Sequence, residues 1–160
     1  MTVVCIAMMM MTNPVRATEN IFTQPINFQL LAEQAEDKAI PIMVLFSSRH
    51  CDYCEFVKRE YLSPMQRGGE YDSKAVIRVV ETDVGDELHD FNGELIDTDV
   101  FSERYNIQFI PTVVFMDAKG RELSKRIVGI GNEDFYGGSL DEGIEESLTH
   151  LVVYRQRALQ

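Results

Sequence analysis

Cys51 and Cys54 are separated by Asp52 and Tyr53, a spacing that suits redox chemistry. With two residues between them, the second sulfur can reach the first within one helical turn, so the pair can cycle between dithiol and disulfide. A helix opening at the first cysteine would present free backbone N–H groups and the positive end of its dipole, both of which favour an anion. A thiol placed there has its pKa drawn from about 8.5 towards about 7 or below. The first thiolate would attack a substrate disulfide and the second would resolve the mixed disulfide. Cys51 is therefore expected to be the exposed attacker and Cys54 the more buried resolver. Arg49 and His50, just before the pair, are cationic or can become so and would lower the Cys51 pKa further, while Asp52 would oppose them. The competing readings are an ordinary exposed turn residue for His50 and two unrelated core cysteines for the pair.

Other chemistries fit these residues less well. A four-ligand zinc site needs a second ligand pair, and the sequence has neither another CxxC nor an HxxxH. The third cysteine, Cys5, lies in an apolar leader, and three cysteines do not make a structural disulfide framework. No methionine or histidine cluster outside the leader supports a copper-delivery site. The formal charge is −11, from 15 Lys and Arg against 26 Asp and Glu. That field repels phosphates, so nucleic-acid and anionic-membrane roles are excluded. The expectation is no metal and no cofactor beyond a redox-active Cys51–Cys54 disulfide. A second motif, Ile110-Pro111-Thr112, puts a proline directly before an apolar run. Lacking an N–H to donate, it can cap a strand edge or occupy a cis bond.

The elements that must position these residues follow from patterning. Asn27 precedes helically spaced Phe28, Leu31, Ala32, Ala35 and Ala39, which predicts a helix capped by Asn27 and stopped by Pro41. Ile42 to Phe46 reads as a buried strand, and Cys51 to about Leu62 as a helix ended by Pro64. Gln66 to Ser73 reads as a Gly-rich loop, Ala75 to Thr82 as a strand, and acidic residues 83–97 as a loop-like insertion. A short helix is expected over Val100 to Tyr105 and a buried strand over Thr112 to Met116. After the Asp117 to Gly120 turn, Glu122 to Val128 is expected as a hairpin partner. Ser139 and Glu142 form a capping box that would start the last helix, with Leu140, Ile144, Leu148, Leu151 and Val152 as its core stripe. This order predicts an α/β fold with a central mixed sheet flanked by helices on both faces.

At 160 residues the chain fits one domain. Residues 3–11 form a nine-residue apolar run, too short to span a bilayer and the length of a signal-peptide core. The expected organisation is a signal peptide over 1–17, cleaved after Ala17, and a single domain over 18–160 with an insertion around 83–97. The competing reading of the leader is a disordered or mis-started N-terminus.

Taken together, Cys51-Asp52-Tyr53-Cys54, Ile110-Pro111-Thr112 leading into Val113-Val114-Phe115, and Asp117 to Gly120 with Val128-Gly129 resemble the thioredoxin superfamily. The resemblance runs from about Ile42 to Leu148. It implies the thioredoxin fold, a cis Pro111 lying against the active-site disulfide, and an Ile110 whose backbone pairs with an extended substrate. A narrower likeness is to bacterial exported thioredoxin-related proteins, including those linked to periplasmic sulfur oxidation. It rests on Asp90-Phe91-Asn92-Gly93, Phe101 to Tyr105 and Asp134-Phe135-Tyr136. Departures from ordinary thioredoxin are His50 for tryptophan, Asp52-Tyr53 for Gly-Pro, and Leu45 for a buried aspartate that moves protons at the resolving sulfur. Another acid or a water must then serve Cys54.

The function expected is a thiol–disulfide oxidoreductase. The first reading is a periplasmic dithiol reductase, monomeric, acting on protein disulfides and kept reduced by a membrane electron donor. The alternatives are a disulfide-introducing oxidase and a non-catalytic binding module on the same scaffold. The expected location is periplasmic or secreted, and otherwise cytoplasmic.

Overall fold

The computed structural model describes residues 26–83 and 85–158. The expected signal peptide and Cys5 lie outside the described residues. The first helix, α1 (Phe28–Lys38), begins where Asn27 accepts the Leu30 N–H at 3.1 Å. It ends at Ala39, which adopts a left-handed conformation (φ 57°) and returns its N–H to Ala35 and Glu36. The stop therefore lies two residues ahead of Pro41.

Strand β1 (Ile42–Ser47) is buried throughout, which explains its unbroken apolar run. It lies between β2 (Val76–Glu81), to which it is parallel, and β5 (Thr112–Met116), to which it is antiparallel. A short β6 (Ile127–Val128) completes a sheet of order β2-β1-β5-β6. Alternate residues of β1 serve opposite faces. Ile42, Val44 and Phe46 join Phe28, Leu31 and Phe101 in one core cluster. Met43 and Leu45 join Val57, Leu62, Phe115, Leu140 and Ile144 in the other. The mixed sheet with helices on both faces is thus as the patterning predicts.

The helical segment after β1 runs past its expected end. It comprises α2 (Asp52–Val57), a wide π turn over Lys58–Leu62, and α3 (Ser63–Arg67). Pro64 sits in the first turn of α3 instead of stopping the rod. The Ser63 N–H reaches Lys58 O across the wide turn. Pro64 thus falls where a missing N–H and the ring are tolerated. The supposed loop over 66–73 is accordingly part helix, continuing as a 3₁₀ turn over Glu70–Ser73.

The acidic insertion is not irregular. It holds an antiparallel hairpin of β3 (Glu87–His89) and β4 (Leu95–Asp97), followed by α4 (Thr98–Arg104). Asp90 builds the hairpin turn: its carboxylate accepts the Asn92 N–H at 2.8 Å and the Glu94 N–H at 3.0 Å, and pairs with Arg104 at 2.6 Å. Leu88 and Ile96 are buried in the Phe28 cluster. Three-residue strands are too short to display alternation, and the charged turn masks them in composition.

Two further expectations are corrected. Residues 122–128 are not one strand. Leu123 donates to Phe115 O at 2.8 Å, Ser124 then turns inward to Gly143 O at 3.0 Å, and pairing resumes only at β6. The last helix, α5 (Glu133–Ala158), starts well before Ser139. Asn132 accepts the Asp134 N–H at 3.0 Å at its start, while the Ser139 hydroxyl donates to Phe135 O inside the helix. Gly137 and Gly138 weaken this first stretch by about 1 kcal/mol each relative to alanine. Packing overrides them: Tyr136 is buried against Tyr61 with ring centroids 5.0 Å apart, and the Tyr61 hydroxyl donates to Glu133 O at 2.8 Å.

Close approach of α5 to the sheet depends on Gly143. A Cβ there would stand 2.4 Å from the ring of Phe115, which is fully buried and has no room to retreat. Gly143→Ala should therefore lower unfolding free energy by about 1–3 kcal/mol. Urea titration with an unchanged m-value checks this, and an unaltered midpoint would contradict the packing described.

Candidate active site

The chain leaves β1 at Ser47 and turns through residues 48–51 into α2. This loop is cinched by Asp83, which follows β2. Ser48 Oγ donates to Asp83 Oδ2 at 2.6 Å and the Arg49 N–H donates to Asp83 Oδ1 at 3.2 Å. The Cys51 N–H returns to Ser48 O at 3.3 Å. Cys51 thereby becomes the N-cap of α2, in extended conformation, and its Sγ accepts the Cys54 N–H at 3.1 Å. Cys51 and Cys54 are joined in a disulfide, with Cα atoms 5.2 Å apart, within the ordinary range. Cys51 is half-buried, whereas Cys54 is fully buried. Of the two cysteines, only Cys51 keeps some exposure.

The N-cap position stabilises a Cys51 thiolate through the backbone N–H and the dipole of the first turn. Nearby charges work against it. Asp52 and Glu55 occupy the first turn of α2. Arg49 and His50, ahead of the pair, are both engaged by carboxylates. Arg49 contacts Asp86 at 2.9 Å, and the His50 ring lies 3.7 Å from Asp83 with 91% of its side chain exposed. The structure thus turns both towards residues 83–86, which compensates the positive charge expected to act on Cys51.

Pro111 is buried directly before β5, and the Ile110–Pro111 peptide is cis. Register places it at the same end of the sheet as the disulfide, because Thr112 pairs with Phe46 near the end of β1. Pro111 O accepts the Gly129 N–H at 2.8 Å. Gly129 holds φ +69°, a conformation that favours glycine. Ile110 is partly exposed. Among the described residues its backbone N–H and C=O take no part in the backbone hydrogen bonding.

Sequence reading missed the polar groups around the pair. Lys58 lies four residues beyond Cys54, hence on the same side of the helical rod, and its ammonium is 2.5 Å from Glu55 and 2.8 Å from Glu81. Glu81 is in phase with the inward-facing Ile77 and Val79. A carboxylate in that phase of a strand was the available signal. Among the described residues no group of three or more His, Cys, Asp or Glu is placed to hold a metal, and no helix is long and apolar enough to cross a membrane.

A four-stranded mixed sheet, a Cys-x-x-Cys disulfide opening the helix after its central strand, and a proline at the adjoining strand end define a thioredoxin fold with a dithiol/disulfide pair. The chain belongs to the family described as thioredoxin-like domain, which matches residues 28–137. Among solved structures, it is similar to a thioredoxin-fold protein from Helicobacter pylori, with 18% identity, TM-score 0.53, and 86% of this chain and 93% of that one covered. It is likewise similar to a poplar thioredoxin h, with 18% identity, TM-score 0.50, and coverage of 70% and 84%. The periplasmic thioredoxin SoxS from Paracoccus pantotrophus matches at 20% identity and TM-score 0.47, over 67% of this chain and 98% of that one. At these identities the Helicobacter pylori and poplar likenesses speak to fold alone. No curated protein sequence matches the chain.

The Asp83 clamp has a pH signature. Donation from Ser48 does most to lower the Asp83 pKa, against the opposing effect of partial burial, with the Arg49 N–H and His50 adding to the lowering. A depressed carboxylate contributes stability that is complete above its unfolded pKa of about 3.9 and is lost as pH falls through the folded value. Asp83→Ala should therefore unfold at lower urea than wild type near neutral pH. The gap should close as pH falls below that window, and a gap independent of pH would refute the assignment.

Proposed function

We propose that this protein is a thiol–disulfide oxidoreductase that works as a dithiol reductase on protein disulfides. The observation that carries the reading is the Cys51–Cys54 pair itself, with a half-buried sulfur capping α2 and a fully buried partner. In the reduced protein the Cys51 thiolate attacks one sulfur of a substrate disulfide. That S–S bond breaks, and one substrate sulfur leaves as thiolate. Cys54 then loses its proton and attacks Cys51 Sγ, releasing the second substrate sulfur. The substrate gains two electrons and the protein becomes the disulfide. A donor dithiol, for which we propose a membrane electron carrier, must restore the reduced pair.

The reducing direction is supported by charge. A strongly oxidising pair needs a specially stabilised dithiol form. Here Asp52 and Glu55 stand beside the thiolate site, while Arg49 and His50 are engaged by Asp86 and Asp83. A polypeptide substrate is supported by the rim of the site. Tyr53 is 65% exposed, Phe109 68% and Val128 53%. Ile110, with its uncommitted backbone groups, is proposed to pair with an extended substrate beside them, and buried Pro111 to seat it against the disulfide. His50 is proposed as a minor support of the site through Asp83. The apolar leader over 3–11 favours action in the periplasm or outside the cell.

Three measurements test this reading. Cys51→Ser should abolish insulin disulfide reduction, and Cys54→Ser should accumulate mixed disulfides separable on non-reducing gels. Full turnover by Cys51→Ser would end the proposal. Equilibration with glutathione should give a potential near about −250 mV or below, whereas a value near about −120 mV would assign the oxidase direction instead.

A further inference from the structure

Strand β2 is an edge strand: among the described residues it pairs only with β1. The Val76 N–H donates to Pro41 O, and just past the strand the Thr82 N–H donates to Ser47 O. Even-numbered residues thus bond β1, and the backbone of Ile77 faces the free edge. Arg78 is in phase with Val76 and Val80, both buried in the Phe28 cluster, and its register partner is the buried Val44. An arginine therefore stands where this sheet face otherwise carries apolar residues. It is half-buried, and its head turns over the strand edge, where Nη1 donates to Ile77 O at 2.6 Å. Gln66 Nε2, from α3, donates to the same oxygen at 3.1 Å.

A cavity of about 260 Å³ opens beside this edge, lined by Gln34, Lys38, Gln66, Tyr71, Asp72 and Arg78 together with the start of β2. Gln34 and Lys38 lie one turn apart on α1, and Lys38 Nζ donates to Asp72 O at 3.2 Å. Both cationic heads thus hold backbone carbonyls of the cavity wall. Among the described residues neither meets a carboxylate in an ion pair. Burial pushes the Arg78 pKa below the ordinary arginine value, with no opposing charge to offset it. The side-on edge of the guanidinium, Nε with Nη2, holds no partner among the described residues, and Lys38 keeps two further protons to donate. A guanidinium edge of this kind grips a carboxylate or a phosphate through two parallel N–H···O bonds. The Tyr71 hydroxyl is committed to Asp141 at 2.7 Å, so its ring is what it offers the cavity.

We propose that this cavity binds a small organic oxyanion, a carboxylate or a phosphate ester, with its charged group on the open edge of Arg78 beside Lys38 and its carbon body against Tyr71, Ala75 and Val76. Because β2 runs parallel to β1, the start of β2 lies at the end of the sheet away from Cys51. The site therefore stands whether or not the dithiol reading holds. Its volume falls just short of the roughly 300 Å³ at which ordinary ligand pockets begin, which suits a small molecule. An added peptide strand fits less well, because Ile77 O, the acceptor on the free edge, is already taken by Arg78 and Gln66. The formal charge of −11 opposes anions at a distance. In physiological salt charges act over only about 8 Å, so the two cations of the wall decide. Asp72 is the one carboxylate among the described lining residues, and it holds the affinity down.

The test titrates the isotope-labelled full chain with succinate and, separately, with glycerol 3-phosphate at low ionic strength. Binding is followed by nuclear magnetic resonance at the Arg78 Nε–H, identified by its loss in Arg78→Met, and at the backbone amides of Tyr71 and Ala75. Saturable movement of these signals is expected with at least one probe, at a Kd of about 1 mM or tighter. The tighter of the two tells a carboxylate from a phosphate ester. Added sodium chloride should weaken the binding. Arg78→Met should weaken it about tenfold or more, and Lys38→Gln about three- to tenfold. Asp72→Asn should tighten it about two- to fivefold, a change that lost packing does not mimic. Silence of the signals towards both probes overturns the proposal, and so does an unchanged affinity in Arg78→Met. Should that variant not fold, an unchanged affinity in Lys38→Gln, at the exposed end of α1, overturns it as well.

Discussion

The site hangs on one hydrogen bond geometry: the Cys51 sulfur stands at the cap of α2 and receives the Cys54 N–H at 3.1 Å. A cap residue must be extended while the next residue is helical, so the chain has to change conformation between Cys51 and Asp52. The Asp83 clamp on Ser48 and Arg49 enforces that change from outside the helix. Because the rod beyond Cys51 is anchored by Val57, Leu62 and Met65 in the core, the cap cannot slide. One sulfur is left at the surface, and the other is forced inward a turn later.

That asymmetry divides the chemistry between two environments. Cys51 meets backbone donors and partial solvent, which favour a thiolate. Cys54 meets apolar packing, where a thiolate is disfavoured unless a base is close. The Lys58 bridge between Glu55 and Glu81 is the polar structure that this face of the sheet retains beneath the rod. Such a half-buried bridge is weak support for stability, since desolvation and solvent screening offset much of the attraction.

The insertion over residues 83–97 serves the same end of the molecule. Asp83 and Asp86 at its start hold the loop before Cys51, while its hairpin closes over the Phe28 and Phe101 cluster. A stretch that reads as acidic and irregular is therefore a clamp followed by a covering element. Its charges do local work: Asp90 is buried and orders a turn, and Asp83 and Asp86 hold His50 and Arg49.

Local signals in the chain determined much of this protein. The buried run of β1, the Asn27 cap, the two-residue spacing of the cysteines and the proline before β5 are all short-range features, governed by backbone conformation and burial of neighbouring residues. They were enough to specify the mixed sheet and to single out Cys51 and Cys54. Tertiary structure decided what depends on contacts across the fold. It carried the helical rod through Pro64, started α5 ahead of two glycines because Tyr136 packs on Tyr61, and turned Arg49 and His50 towards carboxylates more than thirty residues away. Glu81 shows the division most clearly. Its charge is plain in the sequence, but its pairing with Lys58 of the helical rod arises only when β2 lies parallel to β1, since the partner of a strand lies far away in the chain.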